Sequence, residues 1–359
     1  MKSSDIGINW LFDFSKLKRL ITIISFMGIL PALTLIYSDN PIYGAQKVLN
    51  FIICSIPAIA SAYVLISINW DALLKRTTLQ VLSSIIIITL VAVLLLNPFD
   101  NTRAYYFEPG RWSHVFVGRI ISFIVLILLL SFIHGKEKNS LFMTTVIAAG
   151  MFLLYMTGMR AAIIGVLIFS IIYIAYAYVR RKLTKMKIIA LTAIAISAAA
   201  LIFFAHTLLP NQINTPARIV NILDIKDLHF GGEDGLVARI MSAQLAWDMF
   251  TNNPVLGAGY GSFKGYDNLW WTYNQQYPHN ILLEIFSEFG LAGIMFFSYV
   301  FYIIFRSIFQ FKILFQRSAL LVLFFFALWL AMFSKDLSSQ SFIWIFLALL
   351  GKGNEGKVR

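Results

Sequence analysis

Three polar residues, each in a different part of a hydrophobic chain, have side chains suited to group transfer: Arg160, Arg239 and His279. The planar guanidinium group of arginine makes paired, charge-assisted hydrogen bonds with the oxygens of a diphosphate. A neutral imidazole can take a proton from a hydroxyl group near neutral pH. These residue types together predict a site that binds an anionic diphosphate and deprotonates an acceptor hydroxyl.

A polar stripe follows His279 into an apolar segment. Asn280, Glu284, Ser287 and Glu288 recur at three- and four-residue spacing, which places them on one face of a helix. At the helical rise, Glu284 lies about 6 Å and Glu288 about 12 Å below Asn280. Carboxylates at such depths in a membrane normally face a cavity or a partner. The alternative for His279 is that it only anchors the mouth of this helix.

Two arginines start from the same predicted side of the membrane as this polar stripe. Arg119 lies about one turn inside an apolar segment, where a charge is unfavourable unless it is paired. Arg160 stands at the turn between two apolar segments. We expect Glu284 to lie within reach of one of these arginines, whereas Glu288 has no obvious partner.

A glycine-rich run follows a segment with helical apolar spacing. Proline disfavours the helical conformation at the residue before it, so Asn253-Pro254 should end that helix. Gly257, Gly259 and Gly261 then permit a tight turn or a close approach to a ligand. A nucleotide-binding glycine loop would need a preceding strand, so nucleotide binding is disfavoured. A structural turn is the default interpretation, and contact of Gly259 with a phosphate or a sugar is the alternative.

An aromatic group stands just before His279. It consists of Trp270, Trp271, Tyr273 and Tyr277. Aromatic faces suit stacking on sugars as well as anchoring at the membrane interface. We expect Trp270 and Trp271 to contact the substrate.

Other chemistries find little support in the sequence. The single cysteine, Cys54, cannot form an intrachain disulfide. The five histidines are scattered and no HExxH pair is present, so no metal site is expected. A serine hydrolase of the nucleophile-elbow type lacks its motif.

The chain has the composition of an integral membrane protein. Hydrophobic residues make up 59% and charged residues 13% of its 359 residues, whereas soluble domains carry about 25% charged residues. Several runs reach the roughly 20 apolar residues that span a bilayer. The net charge of +12 is concentrated in alternate loops, so it indicates topology by the positive-inside rule and requires no nucleic-acid partner.

The predicted fold is all-α, with about ten transmembrane helices, both termini in the cytoplasm and one large helical loop outside. The spans are predicted at residues 20–37, 48–68, 79–96, 115–133, 141–157, 161–179, 188–206, 280–304, 318–333 and 339–351. The predicted organisation is a seven-span bundle at 1–206, the outer loop at 207–279, a three-span bundle at 280–351 and a cytoplasmic tail at 352–359.

Two segments resemble a known family. The C-terminal half of the O-antigen ligase and O-antigen polymerase superfamily resembles ARIMSAQLAWDMFTNNPVLGAGYGSF followed by HNILLEIFSEFGLAG. Its upstream arginine motif resembles TGMRAAIIG. The histidine motif runs from His279 and Asn280 to Gly290 and Gly293, and the resemblance covers Thr157 to Val300.

The resemblance implies a multi-span glycosyltransferase of the C type that needs neither metal nor nucleotide. It also implies that Arg160 and Arg239 hold the diphosphate of an undecaprenyl-linked glycan and that His279 activates the acceptor. The expected location is the bacterial inner membrane, with the active site and the loop at residues 207–279 facing the periplasm.

The predicted function is that of an O-antigen ligase, which moves a glycan from undecaprenyl diphosphate to a hydroxyl group of lipid A-core. A polymerase of the same superfamily, with a second lipid-linked glycan as acceptor, is one alternative. A transporter of polyprenyl-linked glycans is the alternative from another class, but the paired broken helices of inverted repeats are not evident. Besides the three catalytic residues, those predicted to contact substrate are Arg119, Asn280, Glu284, Gly259, Trp270 and Trp271.

Overall fold

The regular structure of the described residues is entirely helical. The computed structural model describes residues 28–60, 76–96, 114–134, 140–180, 191–192, 235–266, 276–309, 315–333 and 336–351. In chain order its helices are α1 (residues 28–34), α2 (Pro41–Asn50), α3 (Arg76–Leu96), α4 (His114–His134), α5 (Ser140–Thr157), α6 (Arg160–Val179), α7 (Gly235–Asn252), α8 (Ile281–Phe309), α9 (Phe315–Ala331) and α10 (Ser341–Gly351). A π-helical stretch, Phe51–Ser55, continues α2, and a 3-10 turn, Leu337–Ser339, precedes α10.

Among the described residues, four helical stretches are long and apolar enough to cross a membrane. They are Pro41–Ala60, Val115–Ile133, Arg160–Val179 and Ile281–Tyr299, and each overlaps a predicted span. Shorter apolar helices, Gly28–Tyr37, Thr78–Ala92, Leu141–Thr157 and Ser318–Ala331, overlap four further predicted spans. The span predicted at 188–206 lies almost wholly outside the described residues. The chain is therefore a membrane protein, and the count of ten spans stays a prediction.

The second predicted span starts earlier than the hydropathy pattern indicated. α2 begins at Pro41 rather than near residue 48. Proline suits the first turn of a helix because it needs no partner for a backbone N–H. The side chain of Asn40 accepts a hydrogen bond from the N–H of Tyr43 and caps the helix. These local signals extend the helix by about two turns, in which Gly44 and Lys47 are buried.

The chain forms two compact units, and each is described by itself. One unit combines residues 1–69 with 230–359, and the other contains residues 70–229. The division predicted from the sequence, with an outer loop at 207–279 between two bundles, stays a prediction.

The unit at residues 70–229 is built around α4. This helix packs against α3, α5 and α6. It is apolar on all sides, as a helix surrounded by neighbours must be. A side chain at Gly118 would meet the side chains of Thr157 and Met159, so the first turns of α4 lie against the turn between α5 and α6.

The other unit is organised by α8, which is broken. Gly290 has φ 59° and ψ −154°, values outside the helical region, so α8 consists of two helices that meet at this residue. α7 packs along α8, and the rings of Phe250 and Phe286 lie 5.6 Å apart between them. α10 also packs on α8 and on α9. The break makes this unit the place where backbone groups inside the membrane-spanning part must find partners other than those of a continuous helix.

Candidate active site

His279 stands at the mouth of α8 in an unusual backbone conformation. Its φ of 56° is positive, which no other non-glycine residue in the described ranges shows. Such a conformation is unfavourable by about 1–3 kcal/mol and persists where the surroundings fix it. Pro278 is buried before it, and Asn280 caps α8 after it by accepting hydrogen bonds from the N–H groups of Leu282 and Leu283. The neighbouring residues thereby fix the backbone of His279 at the mouth of α8.

Arg239 lies close enough to His279 to influence its protonation. Burial of the imidazole lowers the pKa of His279, and the positive charge of Arg239 lowers it further, to about 4 from the ordinary 6.5. The imidazole is therefore neutral at pH 7, as a general base must be. Arg239 itself is exposed on α7. The structure thus brings two of the three predicted catalytic residues into one electrostatic environment, while their catalytic roles stay predictions.

The aromatic group before His279 is described in part. The ring of Tyr277 lies 4.5 Å from the imidazole of His279, at an angle of 57°. Trp270, Trp271 and Tyr273 lie outside the described residues, so the substrate contacts predicted for the two tryptophans stay predictions. The contact shows that one aromatic side chain of this group packs directly on the candidate base.

The polar stripe of α8 leads to a buried ionic group, the Lys47 cluster, which consists of Lys47, Glu284 and Glu288. The Lys47 Nζ atom donates to Glu284 Oε1 at 2.6 Å and to Glu288 Oε2 at 2.7 Å. The three side chains are 0%, 1% and 0% exposed, respectively. The ammonium group also lies 4.2 Å from the centroid of the Tyr260 ring. A single lysine thus joins α2 to both carboxylates of α8.

The sequence predicted that Arg119 or Arg160 lies within reach of Glu284, which stays a prediction, and it did not predict the lysine that the structure places there. Glu284 pairs with Lys47 and also accepts a hydrogen bond from the backbone N–H of Leu337 at 2.8 Å. Glu288, for which no partner was expected, is bonded to the same lysine. Lys47 escaped the sequence analysis because it stands just before the segment judged to be apolar. The rule applied to the glutamates concerns a charge within an apolar helix, so it did not include a lysine placed one residue before the predicted span.

The glycine-rich run closes the break in α8. The N–H groups of Ala258 and Gly259 donate to the carbonyls of Ser287 and Glu288, which the break leaves without helical partners. In return, the carbonyls of Pro254 and Val255 accept from Leu291 and Ala292 at 2.8 and 3.0 Å. These residues form two reciprocal pairs of backbone hydrogen bonds, so the loop replaces the helical bonds that Gly290 interrupts.

Close backbone packing explains the glycines at this junction. A side chain at Gly257 would overlap the backbone of Glu288 and Phe289, and one at Gly290 would lie 2.8 Å from the carbonyl oxygen of Pro254. A side chain at Gly259 would lie 2.7 Å from the Cα atom of Ser38. The predicted turn is therefore confirmed as a turn, and the substrate contact proposed for Gly259 stays a prediction.

The remaining predicted site residues, Arg119 and Arg160, belong to the unit at residues 70–229. Arg119 is buried in α4, and Arg160 is the first residue of α6. Each arginine directly follows a member of the contact between Gly118 and Met159. Both therefore stand at the same end of this unit, as expected from the sequence, and their roles toward a substrate stay predictions.

The described residues contain no cluster of side chains that could bind a metal ion. No group of three or more His, Cys, Asp or Glu side chains there could hold a metal ion.

A known protein family matches part of the chain. The family model described as O-antigen ligase matches residues 143–298, a stretch that includes Arg160, Arg239 and His279. No curated protein matches the chain. The family match confirms the resemblance seen in the sequence and supports assignment of the chain to the O-antigen ligase and O-antigen polymerase superfamily.

Proposed function

We propose that this protein is a membrane glycosyltransferase of the O-antigen ligase type, working at the periplasmic face of the bacterial inner membrane. Its donor would be a glycan linked to undecaprenyl diphosphate, and its acceptor a hydroxyl group of lipid A-core. The observation that carries the proposal is the neutral His279 beside the positively charged Arg239 at the mouth of α8. The family match supports the substrate class in general, that of lipid-linked polysaccharides.

The charge arrangement at this site suits a diphosphate leaving group. Arg239 has no acidic partner among the described residues and is exposed. A guanidinium group can form two parallel hydrogen bonds with phosphate oxygens. Arg160 is the second proposed diphosphate ligand, on the strength of the family's arginine motif. Preorganised positive charge stabilises the negative charge that develops on a departing group, and this electrostatic effect often lowers a reaction barrier more than any other.

The proposed reaction is a single displacement at the anomeric carbon of the donor sugar. His279 takes the proton of the acceptor hydroxyl while that oxygen forms a bond to the anomeric carbon. The bond between this carbon and the diphosphate oxygen breaks, and both of its electrons leave with the polyprenyl diphosphate. The proton held by His279 then passes to solvent, which returns the imidazole to its neutral form.

Donor binding should also activate the base. The positive charge of Arg239 is one of the two causes of the lowered pKa of His279. A diphosphate bound to Arg239 would offset that charge, so the pKa of His279 would rise toward its ordinary value. A base whose pKa lies nearer the operating pH accepts a proton more readily. His279 would thus become an effective base only when the donor is in place.

The proposal is tested by deleting the gene in its host and examining the surface lipopolysaccharide on a gel. Long chains that persist on the carrier lipid but never reach lipid A-core would support the ligase. Lipid A-core that carries only a single repeat unit would contradict it in favour of the polymerase, and glycan retained on the cytoplasmic side would contradict it in favour of a transporter. The wild-type gene should restore the normal ladder, and His279→Ala should not.

A further inference from the structure

A polar cavity lies beside the Lys47 cluster, within the unit that contains His279. Its volume is about 340 Å³, and its lining includes Tyr43, Gln46, Asn50, Gln276, Asp336 and Ser339. Every one of these side chains can donate or accept a hydrogen bond. The volume is at the lower end of the range of about 300–1,000 Å³ for small-molecule sites. The cavity therefore has room for a small polar ligand and not for a lipid chain.

One face of α2 supplies much of this lining. Tyr43, Gln46 and Asn50 follow one another at three- and four-residue spacing, and Lys47 lies on the same side. This face belongs to Pro41–Ala60, a stretch apolar enough to cross a membrane. Polar side chains in such a helix normally face the interior or a water-filled cavity. The position of the cavity explains why these polar residues occur in an apolar helix.

The opposite wall is held rigid. The carboxylate of Asp336 accepts hydrogen bonds from the Ser338 hydroxyl at 2.8 Å and from the Ser339 N–H at 3.1 Å. The turn that follows is fixed to the Lys47 cluster by the bond from Leu337 to Glu284. Ser55 donates to the carbonyl of Ser338 at 2.9 Å. The cavity is therefore preorganised by bonds that do not depend on a ligand.

The charges of the lining favour a neutral ligand. Its lining contains one cation, Lys264, and one carboxylate, Asp336. The ammonium group of Lys264 lies 4.7 Å from the ring centroid of Tyr43. A diphosphate would need several converging cations, whereas amides, hydroxyls and a carboxylate match the ring of hydroxyl groups on a sugar. The tyrosine ring offers a flat apolar surface for the C–H face of a sugar.

The cavity reaches the candidate base through one side chain. Tyr277 is part of the lining, and its ring packs on the imidazole of His279 at 4.5 Å. We infer that this cavity is a saccharide subsite that binds one sugar unit of a glycan substrate beside His279. The inference rests on the proposed function, because that function supplies the glycan. The sugar could belong to the donor or to the acceptor, and kinetics can distinguish the two.

The test uses the purified full-length protein in proteoliposomes and the variants Gln46→Leu and Asn50→Leu. Each variant removes a hydrogen-bonding amide from the lining and keeps a side chain of similar size. Gln244→Leu, on an exposed position of α7, is the matched control for the same change away from the cavity. Equal melting temperatures of all variants establish that the fold is retained.

The first readout is equilibrium binding of the free oligosaccharide repeat unit released from the host polysaccharide. Loss of one hydrogen bond should weaken binding about three- to tenfold in each cavity variant. The control should bind like the wild type. Unchanged binding in both cavity variants overturns the inference.

The second readout is transfer between purified donor and acceptor. A raised KM for the donor with unchanged kcat assigns the subsite to the donor sugar, and a raised KM for the acceptor assigns it to the acceptor sugar. If the wild type transfers glycan and neither KM changes, the inference is wrong and the proposed function stands. If the wild type binds the oligosaccharide at the cavity but transfers nothing, the subsite stands and the proposed function is wrong.

Discussion

Two groups of polar side chains near α8, the Lys47 cluster and the Arg239–His279 pair, have different surroundings. The Lys47 cluster is fully buried, and its ammonium group faces two carboxylates at hydrogen-bonding distance. At the helix mouth, Arg239 is exposed and His279 is partly buried, with positive charge beside a neutral imidazole. The bonds of Lys47 to the two carboxylates join α2 to α8, whereas the guanidinium of Arg239 has no acidic partner among the described residues.

Polar residues that stand close together in the sequence have different tasks in the protein. Glu284 belongs to the polar stripe of α8, and His279 stands just before that helix. The carboxylate of Glu284 is hydrogen-bonded to Lys47 and to the backbone N–H of Leu337, so it stabilises the fold. His279 is held in a strained backbone conformation at the helix mouth, which is typical of functional positions. We therefore expect loss of the first to affect stability and loss of the second to affect activity.

The largest effect is expected for His279→Ala. Removal of a general base typically lowers the rate by about 10²–10⁴-fold. Transfer should fall by that factor in proteoliposomes, while the melting temperature stays within a few degrees of the wild type. The substitution removes no charge from the folded protein, because the imidazole is neutral at pH 7, so we expect little change in stability. Normal transfer by this variant would support the view that His279 only anchors the helix mouth.

The complementary change is Lys47→Met, which leaves two buried carboxylates without their cation. Removal of one partner of a buried ionic group destabilises proteins by about 3–5 kcal/mol. The free energy of unfolding in detergent should fall by that amount. Adding Glu284→Gln and Glu288→Gln to the same chain should recover part of the loss, because no uncompensated charge then remains. An unchanged melting temperature for Lys47→Met would contradict a structural role of the cluster.

The local features of both groups could be predicted from the sequence, but their partners could not. Asn253-Pro254 predicted the end of α7, which the structure places at Asn252. Pro278, His279 and Asn280 predicted the start of α8. Such signals act within a few residues, through proline and side-chain caps.

The long-range features needed three-dimensional information. Lys47 and Glu284 are 237 positions apart in the chain, and no local pattern joins them. A glycine within a helix can permit close helix packing or break the helix, and Gly290 breaks α8 so that the loop carrying Gly257 can bond to its backbone. Glycine in a helix is compatible with either role, and the choice depends on which backbone lies against it.

A smaller effect is expected for Arg239→Lys. Lysine keeps the positive charge but cannot make the paired hydrogen bonds of a guanidinium group. A lost charged hydrogen bond is worth about 1.5–3 kcal/mol, so kcat/KM for the donor should fall about 10- to 100-fold. Stability should be unchanged, because Arg239 is exposed. A variant with wild-type kcat/KM would show that Arg239 contributes only charge or does not contact the donor.

A further effect is expected at acid pH. The folded pKa of His279, about 4, lies below its ordinary value of 6.5. The folded state therefore binds fewer protons than the unfolded state between these values. The contribution of this group to stability is present above pH 6.5 and is lost as the pH falls toward 4.

The same pKa sets the acid limb of kcat/KM for the free enzyme, which should fall near pH 4 rather than 6.5. In Arg239→Leu the limb should move to higher pH but remain below 6.5, because burial is the larger cause of the shift. A wild-type limb at pH 6.5 would contradict the proposed environment of the imidazole.

An NMR titration of the imidazole tests most directly whether the pKa of His279 is lowered and whether it responds to an anion bound at Arg239. The chain has five histidines, so selective labelling gives few signals, and His279→Gln identifies the one required. We expect a pKa of about 4 in the protein alone and a clear rise on binding of polyprenyl diphosphate, which offsets the charge of Arg239. Arg239→Leu should abolish most of that rise. An ordinary pKa near 6.5 that does not respond to the diphosphate would contradict the account.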